Sequence, residues 1–170
     1  MFKGIAKLLL ALNGNVKKSQ IALGFCWGHL LGIIPIGNIF WLVLFFISFF
    51  FRHNHAAKLA SMAFFLILSS LLAYQIDAFG WFILTDIEAL QPLFISMYNM
   101  PFVPFTNFNN TLVMGGLAVG MLLWFPLFLS LMAFIPFFRD NISPRIRNSK
   151  VVEVILKFPL FSSIDKAMKG

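Results

Sequence analysis

The chain has 170 residues, of which 60% are hydrophobic and only 11% are charged. An average soluble domain has roughly 25% charged residues, and a water-soluble fold of this length could not hide so much apolar surface, so the composition argues against one. The 13 lysines and arginines outnumber the 6 acidic residues and give a net charge of +7. They border apolar runs instead of forming a continuous stripe, which argues against nucleic-acid binding and favours contact with anionic lipid headgroups.

The segment 1–18 predicts a short amphipathic helix, with Lys3 and Lys7 on one side and apolar residues elsewhere. A signal peptide is the alternative interpretation. Its apolar region would be short, however, and no small-residue cleavage site precedes Asn13. We therefore expect a retained helix that lies in the cytoplasmic interface of a membrane.

The apolar stretch 20–51 is interrupted in its middle by Pro35 and Gly37. Proline removes a helical hydrogen bond and disfavours the α conformation of the preceding residue, so two helical halves are predicted. Each half contains about 15 residues, or roughly 22 Å of helix. Because a hydrocarbon core is about 30 Å thick, the stretch is predicted to be a helical hairpin that either crosses the bilayer or re-enters it.

Two later apolar runs, 59–84 and 111–138, are predicted to be transmembrane helices because each is long enough to cross a bilayer. Between them, 85–110 is predicted to be an outer loop, and its segment 97–105 is unusually apolar for an exposed loop. Such an apolar segment indicates contact with headgroups or with a partner helix.

Two further sequence patterns occur, one near the end of the run 111–138 and one in the segment after it. Pro126 and Pro136 are expected to kink the second transmembrane helix or to end it at the interface. Residues 139–170 form a basic tail, in which 150–158 again has the pattern of an amphipathic interfacial helix.

All lysines and arginines lie outside 59–138. The positive-inside rule assigns every basic group to the cytoplasm, which places both termini there and the loop 85–110 outside. The predicted fold is a single all-α, multi-pass integral membrane domain. It comprises a glycine-rich helical hairpin, two transmembrane helices and amphipathic interfacial helices at both ends.

Glycines recur every four residues in two places, at Gly24, Gly28 and Gly32 and again at Gly116 and Gly120. Small residues at this spacing line one helix face and allow another backbone to approach closely, which is typical of packed membrane helices. The alternative interpretation is a thin wall beside a lipid or substrate groove. Pro35 and Gly37 belong to the same predicted set of packing or groove residues.

The main polar candidates for a functional role are His29, Arg52 and Asn54. His29 lies in an apolar run, where an ionisable group either serves a function or donates a hydrogen bond to a neighbouring helix. His53 and His55 flank Asn54, but two histidines without a third ligand favour a polar turn over a metal site. The remaining candidates are acidic and favour a solvated outer rim: Asp77, Asp86 and Glu88.

The segment 19–61 resembles a bacterial inner-membrane family of uncharacterised function, in a subgroup from envelope gene clusters. The resemblance rests on the pattern Ala22-x-Gly24-x3-Gly28-x3-Gly32-x2-Pro35-x-Gly37 and on the turn Arg52-x-Asn54. The chain departs from the wider family after residue 61, where Ser69-Ser70 stands in the region of an Asn-Pro element. Members lie beside envelope-glycan enzymes or large envelope-spanning proteins, so the resemblance implies an accessory role and supplies no catalytic residue.

Three functions are consistent with these patterns. The leading hypothesis is a non-enzymatic subunit that binds membrane lipids, anchors a larger envelope protein and helps lipid enter it. The alternative is a small lipid or small-molecule transporter or flippase, acting alone or as a homo-oligomer. The third is an intramembrane enzyme using His29 with Asp77. No catalytic triad, phosphate-binding glycine loop or zinc motif occurs, so no enzyme activity, metal or cofactor is expected. The lone Cys26 excludes an intrachain disulfide.

Overall fold

The structure is a computed structural model that describes residues 16–142. Every regular element in this range is helical, which confirms the all-α prediction for the described part of the chain. The predicted amphipathic segments at the two ends lie almost entirely outside the described residues. The described part of the chain forms six α-helices, which are α1 (Lys18–Ile33), α2 (Ile39–Ser48), α3 (His55–Leu71), α4 (Ala73–Trp81), α5 (Gln91–Tyr98) and α6 (Thr111–Phe137).

Asparagine side chains cap the N-termini of three helices. The side-chain oxygens of Asn38, Asn54 and Asn110 accept hydrogen bonds from backbone N–H groups three residues later, at 2.7, 2.8 and 3.1 Å. A helix leaves its first four N–H groups without an intrahelical acceptor, and a short side-chain oxygen satisfies one of them. These caps define where α2, α3 and α6 begin.

Helix α1 is the centre of the bundle, with α3 and α6 packed against it. The backbone N–H of Asn54 donates to the Gln20 carbonyl at 2.9 Å, so α3 begins beside the start of α1 and runs parallel to it. The Arg139 guanidinium donates to the Val16 carbonyl at 2.9 Å, so the end of α6 also lies there and α6 runs antiparallel to α1. The starts of α1 and α3 and the end of α6 therefore share one end of the bundle, the basic end.

The break predicted near Pro35 separates α1 from α2. Gly37 has a φ of +102°, a backbone conformation that glycine adopts without steric cost. The Trp41 indole N–H donates to the Leu31 carbonyl at 2.8 Å and ties the start of α2 back to α1. Unlike the two arms of a closely packed hairpin, however, α1 contacts α3 and α6 far more extensively than α2. Most of the surface of α2 is left exposed.

The run 59–84 differs from the single straight helix expected. It begins earlier, at His55, and breaks at Leu72, where α3 and the segment Ala73–Asp86 meet at an angle of 77°. The hydroxyls of Ser69 and Ser70 both donate to the Leu66 carbonyl, at 3.0 and 2.9 Å. Serine hydroxyls that bond to backbone carbonyls in this way often bend helices, which is the physical reason we assign to the break.

The segment 85–110 contains short helices as well as turns. A π-helical turn (Phe82–Asp86) leads into two 3-10 turns (Glu88–Leu90 and Val103–Thr106), which flank α5. Helix α6 then runs through Pro126 and Pro136, neither of which ends it. With the π-helical turn Phe138–Ile142, the helix extends close to the limit of the described residues.

Among residues 16–142, one helix, Thr111–Asn141, is long and apolar enough to cross a membrane by length and composition. The number rises to two if α3 and the bent segment after it form one span. Helix α2 is equally apolar but has only 10 residues.

Candidate functional site

Helices α1 and α3 meet along the glycine face of α1. A Cβ atom added at Gly24 would overlap the Asn54 carbonyl oxygen, and one at Gly28 would overlap the Ser61 hydroxyl. At Gly32 it would lie 2.6 Å from the Met62 carbonyl oxygen. Real Cβ atoms do not approach backbone this closely, so these three positions accept only glycine without a shift of one helix. We call this contact the first glycine seam.

The glycines of α6 pack on the opposite side of α1. A Cβ atom at Gly116 would lie 2.9 Å from the Ile33 carbonyl oxygen, and one at Gly120 would lie 2.5 Å from Cδ1 of Leu30. Both sets of glycines identified in the sequence therefore contact α1, which is held from two sides. At these five glycines the structure shows close helix packing.

A second pair of glycines joins α4 to α6 and was missed in the sequence. Added Cβ atoms at Gly80 and Gly115 would overlap the carbonyl oxygens of Thr111 and Ile76, respectively. The Thr111 hydroxyl also donates to the Asp77 carboxylate at this contact. We call it the second glycine seam. Gly80 is isolated in its helix, so no repeat in the sequence indicated it.

A buried lysine lies beside the first glycine seam. Lys58 is only 1% exposed, and its Nζ donates to the Ser48 hydroxyl oxygen at 2.9 Å. The ammonium also lies 4.0 Å from the Phe49 ring centroid and 5.0 Å from that of Phe45. No carboxylate among residues 16–142 pairs with it. We call Lys58, Ser48, Phe45 and Phe49 the Lys58 cluster.

Ser48 provides the link between the lysine and the end of α2. Its hydroxyl donates to the Phe45 carbonyl at 2.6 Å, which leaves an oxygen lone pair to accept from Lys58. The lysine thereby fixes the last turn of α2 against the first turn of α3. The sequence did not predict this contact, because Lys58 is one of several basic residues that border apolar runs.

His53 packs at the basic end, next to the cluster. Its Nδ1 lies 2.7 Å from the Phe51 carbonyl oxygen, which can only accept, so Nδ1 is the donor. Its ring centroid is 4.6 Å from that of His55. Burial lowers the pKa of His53 below its ordinary value, and the nearby positive charges of Lys58 and His55 act in the same direction, while the hydrogen bond to Phe51 opposes them.

The structure places the remaining predicted site residues separately. Asn54 caps α3 and contacts Gly24, whereas the neighbouring Arg52 is exposed at the basic end. Pro35 and Gly37 form the turn between α1 and α2, and Gly37 has open space around it. Of these four residues, only Asn54 belongs to the first glycine seam.

His29 and Asp77 have different neighbours. His29 is buried, its ring packs edge-on against Phe65 with centroids 4.5 Å apart, and neither ring nitrogen has a hydrogen-bond partner among residues 16–142. Asp77 bonds to Thr111 on the far side of the bundle. The pairing that an intramembrane enzyme would need is therefore not formed.

Within residues 16–142, no three histidine, cysteine or acidic side chains are grouped so that they could hold a metal ion. The segment 82–110 carries a shallow apolar depression of about 310 Å³ between α5 and its flanking turns. Its lining is largely aromatic and aliphatic, with Phe94, Ile95, Tyr98 and Phe108 as the main contributors.

The comparisons with known proteins add one relative. The chain is 25% identical over 160 residues to an uncharacterized protein of Treponema pallidum (strain Nichols), a match that spans 94% of this chain and 98% of that protein. No family model matches the chain, and no solved structure matches it. The resemblance of 19–61 to an inner-membrane family therefore stays a prediction.

Proposed function

We propose that this protein is a multi-pass protein of the bacterial inner membrane, and that it is a non-enzymatic subunit that anchors a larger envelope protein and helps lipid enter it. The observation that carries the proposal is the distribution of its side chains. Lys58 and His29 are buried, whereas Phe50 is 88% exposed and Leu122 is 68% exposed. In water, both the buried polar side chains and the exposed apolar side chains would be unfavourable. A hydrocarbon environment solvates an apolar exterior of this kind.

The positions of the basic residues support one orientation. Lys17, Arg52 and Arg139 all lie at the basic end of the bundle, whereas Asp86 and Glu88 follow the bend at the other end. The positive-inside rule places the basic end in the cytoplasm. Because α2 returns towards the basic end, α3 begins on the same side of the membrane as α1, and α6 brings the chain back to that side.

The partner role is supported by surfaces that the bundle leaves uncovered. Helix α2 has 10 residues, so it covers only about half of a hydrocarbon core at 1.5 Å per residue. The turn before it exposes Ile36 and Gly37. Non-helical backbone at membrane depth requires cover from protein or a water-filled cavity. A larger membrane protein seated on α2 and this turn would provide that cover.

Membrane placement is tested first, by cysteine labelling in whole cells. Cys26 is replaced by serine, and single cysteines are introduced at Arg52 and at Glu88, both exposed. A membrane-impermeant maleimide should label position 88 from outside and position 52 only after the membrane is permeabilised. Equal labelling of the two positions would contradict the orientation, and release of the protein by alkaline carbonate would contradict membrane insertion.

The subunit role is tested by purifying the full chain from its native membrane in mild detergent, followed by native mass spectrometry. We expect a larger envelope protein in fixed stoichiometry, together with phospholipid. Gly28→Leu should reduce the amount of that partner and weaken the membrane barrier, while Ala63→Leu, on an exposed face of α3, should not. A homo-oligomer that carries lipid alone would contradict the subunit role.

A transporter acting alone is the second candidate, favoured by the 77° bend at Leu72 and the break at Pro35. Broken helices at membrane depth commonly contribute substrate sites in transporters. Scrambling of fluorescent phospholipid by the purified protein in liposomes would support this function. Absence of scrambling, together with a copurifying partner, would leave the subunit role as the better account.

A further inference from the structure

The Lys58 ammonium has more hydrogen-bond donors than the protein around it uses. An ammonium carries three N–H donors. One is directed at the Ser48 hydroxyl oxygen, the Phe49 and Phe45 rings lie 4.0 and 5.0 Å away, and residues 16–142 offer no oxygen or nitrogen acceptor to the other two donors. A cation buried without a counter-charge or a full set of acceptors is costly, and this one has neither within the described range. An anion with several acceptor oxygens would satisfy both donors.

The surroundings of the cluster indicate what kind of anion would fit. The Phe49 ring lies 4.0 Å from the ammonium and is 52% exposed. This one aromatic side chain therefore lies between the charge and the surface of the protein. Phe46 and Phe50 extend that apolar surface on both sides. A soluble anion would have to cross this layer without compensation, whereas an amphiphile could lay an acyl chain along it.

The position of the Lys58 cluster along the bundle further narrows the class of anion. Lys58 is in the first turn of α3, and the exposed Arg52 is six residues before it at the basic end. This is the level of the headgroups if the basic end faces the cytoplasm, as the proposed function holds. Basic pockets between helices on that side are where anionic lipid headgroups bind.

We propose that the Lys58 cluster is a binding site for the phosphate of an anionic phospholipid in the cytoplasmic leaflet. The phosphate accepts from the two unused donors of Lys58, and one acyl chain lies on the aromatic surface of α2. This inference rests on the proposed membrane placement and deepens it, because it names a class of lipid and a position where that lipid enters the protein.

The test is a lipid titration of the purified full-length protein in detergent, read by native mass spectrometry. The probe is dioleoyl phosphatidylglycerol, and dioleoylglycerol, which lacks the phosphate, is the matched lipid. Lys58→Met should weaken phosphatidylglycerol binding at least about tenfold, since hydrogen bonds to a charged group are lost. Lys18→Met removes an exposed lysine at the same end and should change binding less than about twofold.

Three outcomes would overturn the proposal. The first is equal binding of phosphatidylglycerol by Lys58→Met and the wild type, which would leave the lysine a purely structural tie between α2 and α3. The second is equal binding of dioleoylglycerol and phosphatidylglycerol by the wild type. The third is displacement of the lipid by excess inorganic phosphate, which would assign the site to free phosphate.

Two features keep the test decisive. If Lys58→Met does not elute as a single species, Lys58→Gln replaces it, because glutamine removes the charge and keeps a polar group beside Ser48. Unchanged lipid binding by Lys58→Gln would overturn the proposal equally. The titration also needs no partner protein, so a missing envelope partner would contradict the subunit role and leave the lipid result unaffected.

Discussion

Gly28 of α1 lies in direct contact with Ser61 of α3, and no side chain fits between them. The Ser61 hydroxyl donates to the Phe25 carbonyl at 3.0 Å, so the same contact carries a hydrogen bond between the two helices. Small residues that bring backbones together, with a hydroxyl that bonds across, are a common means of joining helices in membranes. Here they place the start of α3, and with it Lys58, against α1.

Gly28→Leu should separate α1 from α3 and destabilise the protein. Overpacking a filled contact costs about 1–3 kcal/mol, and we expect the upper end of this range because the neighbours include backbone atoms of α3. Thermal unfolding in detergent measures the change. Ala63→Leu makes a similar addition at an exposed position of α3 and should shift the midpoint little. Equal midpoints for Gly28→Leu and the wild type would contradict the seam.

Alanine at Gly80 or Gly115 should loosen α4 from α6. Each added methyl group would meet a backbone carbonyl of the other helix, so we expect a loss of about 1–3 kcal/mol for either variant. The two residues share one contact, so the double variant should lose less than the sum of the single losses. Thermal unfolding of the three variants checks both statements, and Ala78→Leu, which changes an exposed position of α4, is the control. Strict additivity would show that the two glycines are not coupled.

Removing the Lys58 ammonium and removing the Ser48 hydroxyl should have different effects on the free energy of unfolding. Ser48→Ala takes away the hydroxyl oxygen to which the buried ammonium donates, and should cost about 1–3 kcal/mol. Lys58→Met removes the buried charge and keeps an apolar side chain of similar length, so stability should be unchanged or higher. Chemical unfolding in lipid-free detergent measures both. Ser130→Ala, at an exposed serine bonded to its own helix, should have little effect. A larger loss for Lys58→Met than for Ser48→Ala would contradict this account.

Acidification should destabilise the turn before α3 through His53. Burial holds the pKa of His53 below the ordinary 6.5, so just below pH 6.5 the unfolded chain binds more protons than the folded one. This contribution to the unfolding free energy is therefore fully present above about pH 6.5 and falls as the pH drops through the folded-state pKa. His53→Asn should reduce that fall while keeping a donor for the Phe51 carbonyl. His55→Gln, at an exposed neighbour whose charge is the smallest contribution to the His53 pKa shift, should leave most of the fall in place, and a pH profile unchanged by His53→Asn would contradict the assignment.

Local sequence accounts for the helices and several of their limits. The continuous apolar runs predict helices, and Pro35 predicts the break after α1, because a missing N–H and a fixed φ act within one turn whatever the rest of the chain does. Asn38, Asn54 and Asn110 have the short side-chain oxygen that a helix start requires, although only their position in the structure identifies them as caps. The grouping of basic residues beside apolar runs is likewise visible in the sequence alone.

The bend at Leu72 could not be predicted from the local sequence of α3. No proline or glycine stands near it, and serine bends a helix only where its hydroxyl bonds to a backbone carbonyl. The single hydroxyl proton of Ser69 is shared between the carbonyl oxygens of Leu66 and Gly32, each 3.0 Å from Oγ. The second bond depends on how α1 lies against α3, so the sequence of α3 could not reveal it.

The amino-acid sequence by itself determined that this chain is helical, that its glycines line faces of two helices and that its positive charges gather beside the apolar runs. Only the tertiary structure decided that α1 packs beside α3 more than beside α2, that Gly80 meets Gly115, and that Lys58 is buried against Ser48. Periodicity and chain-breaking residues act over a few residues, whereas these contacts depend on the register between segments far apart in the chain. That register is set by which pairs of glycine faces can approach backbone to backbone.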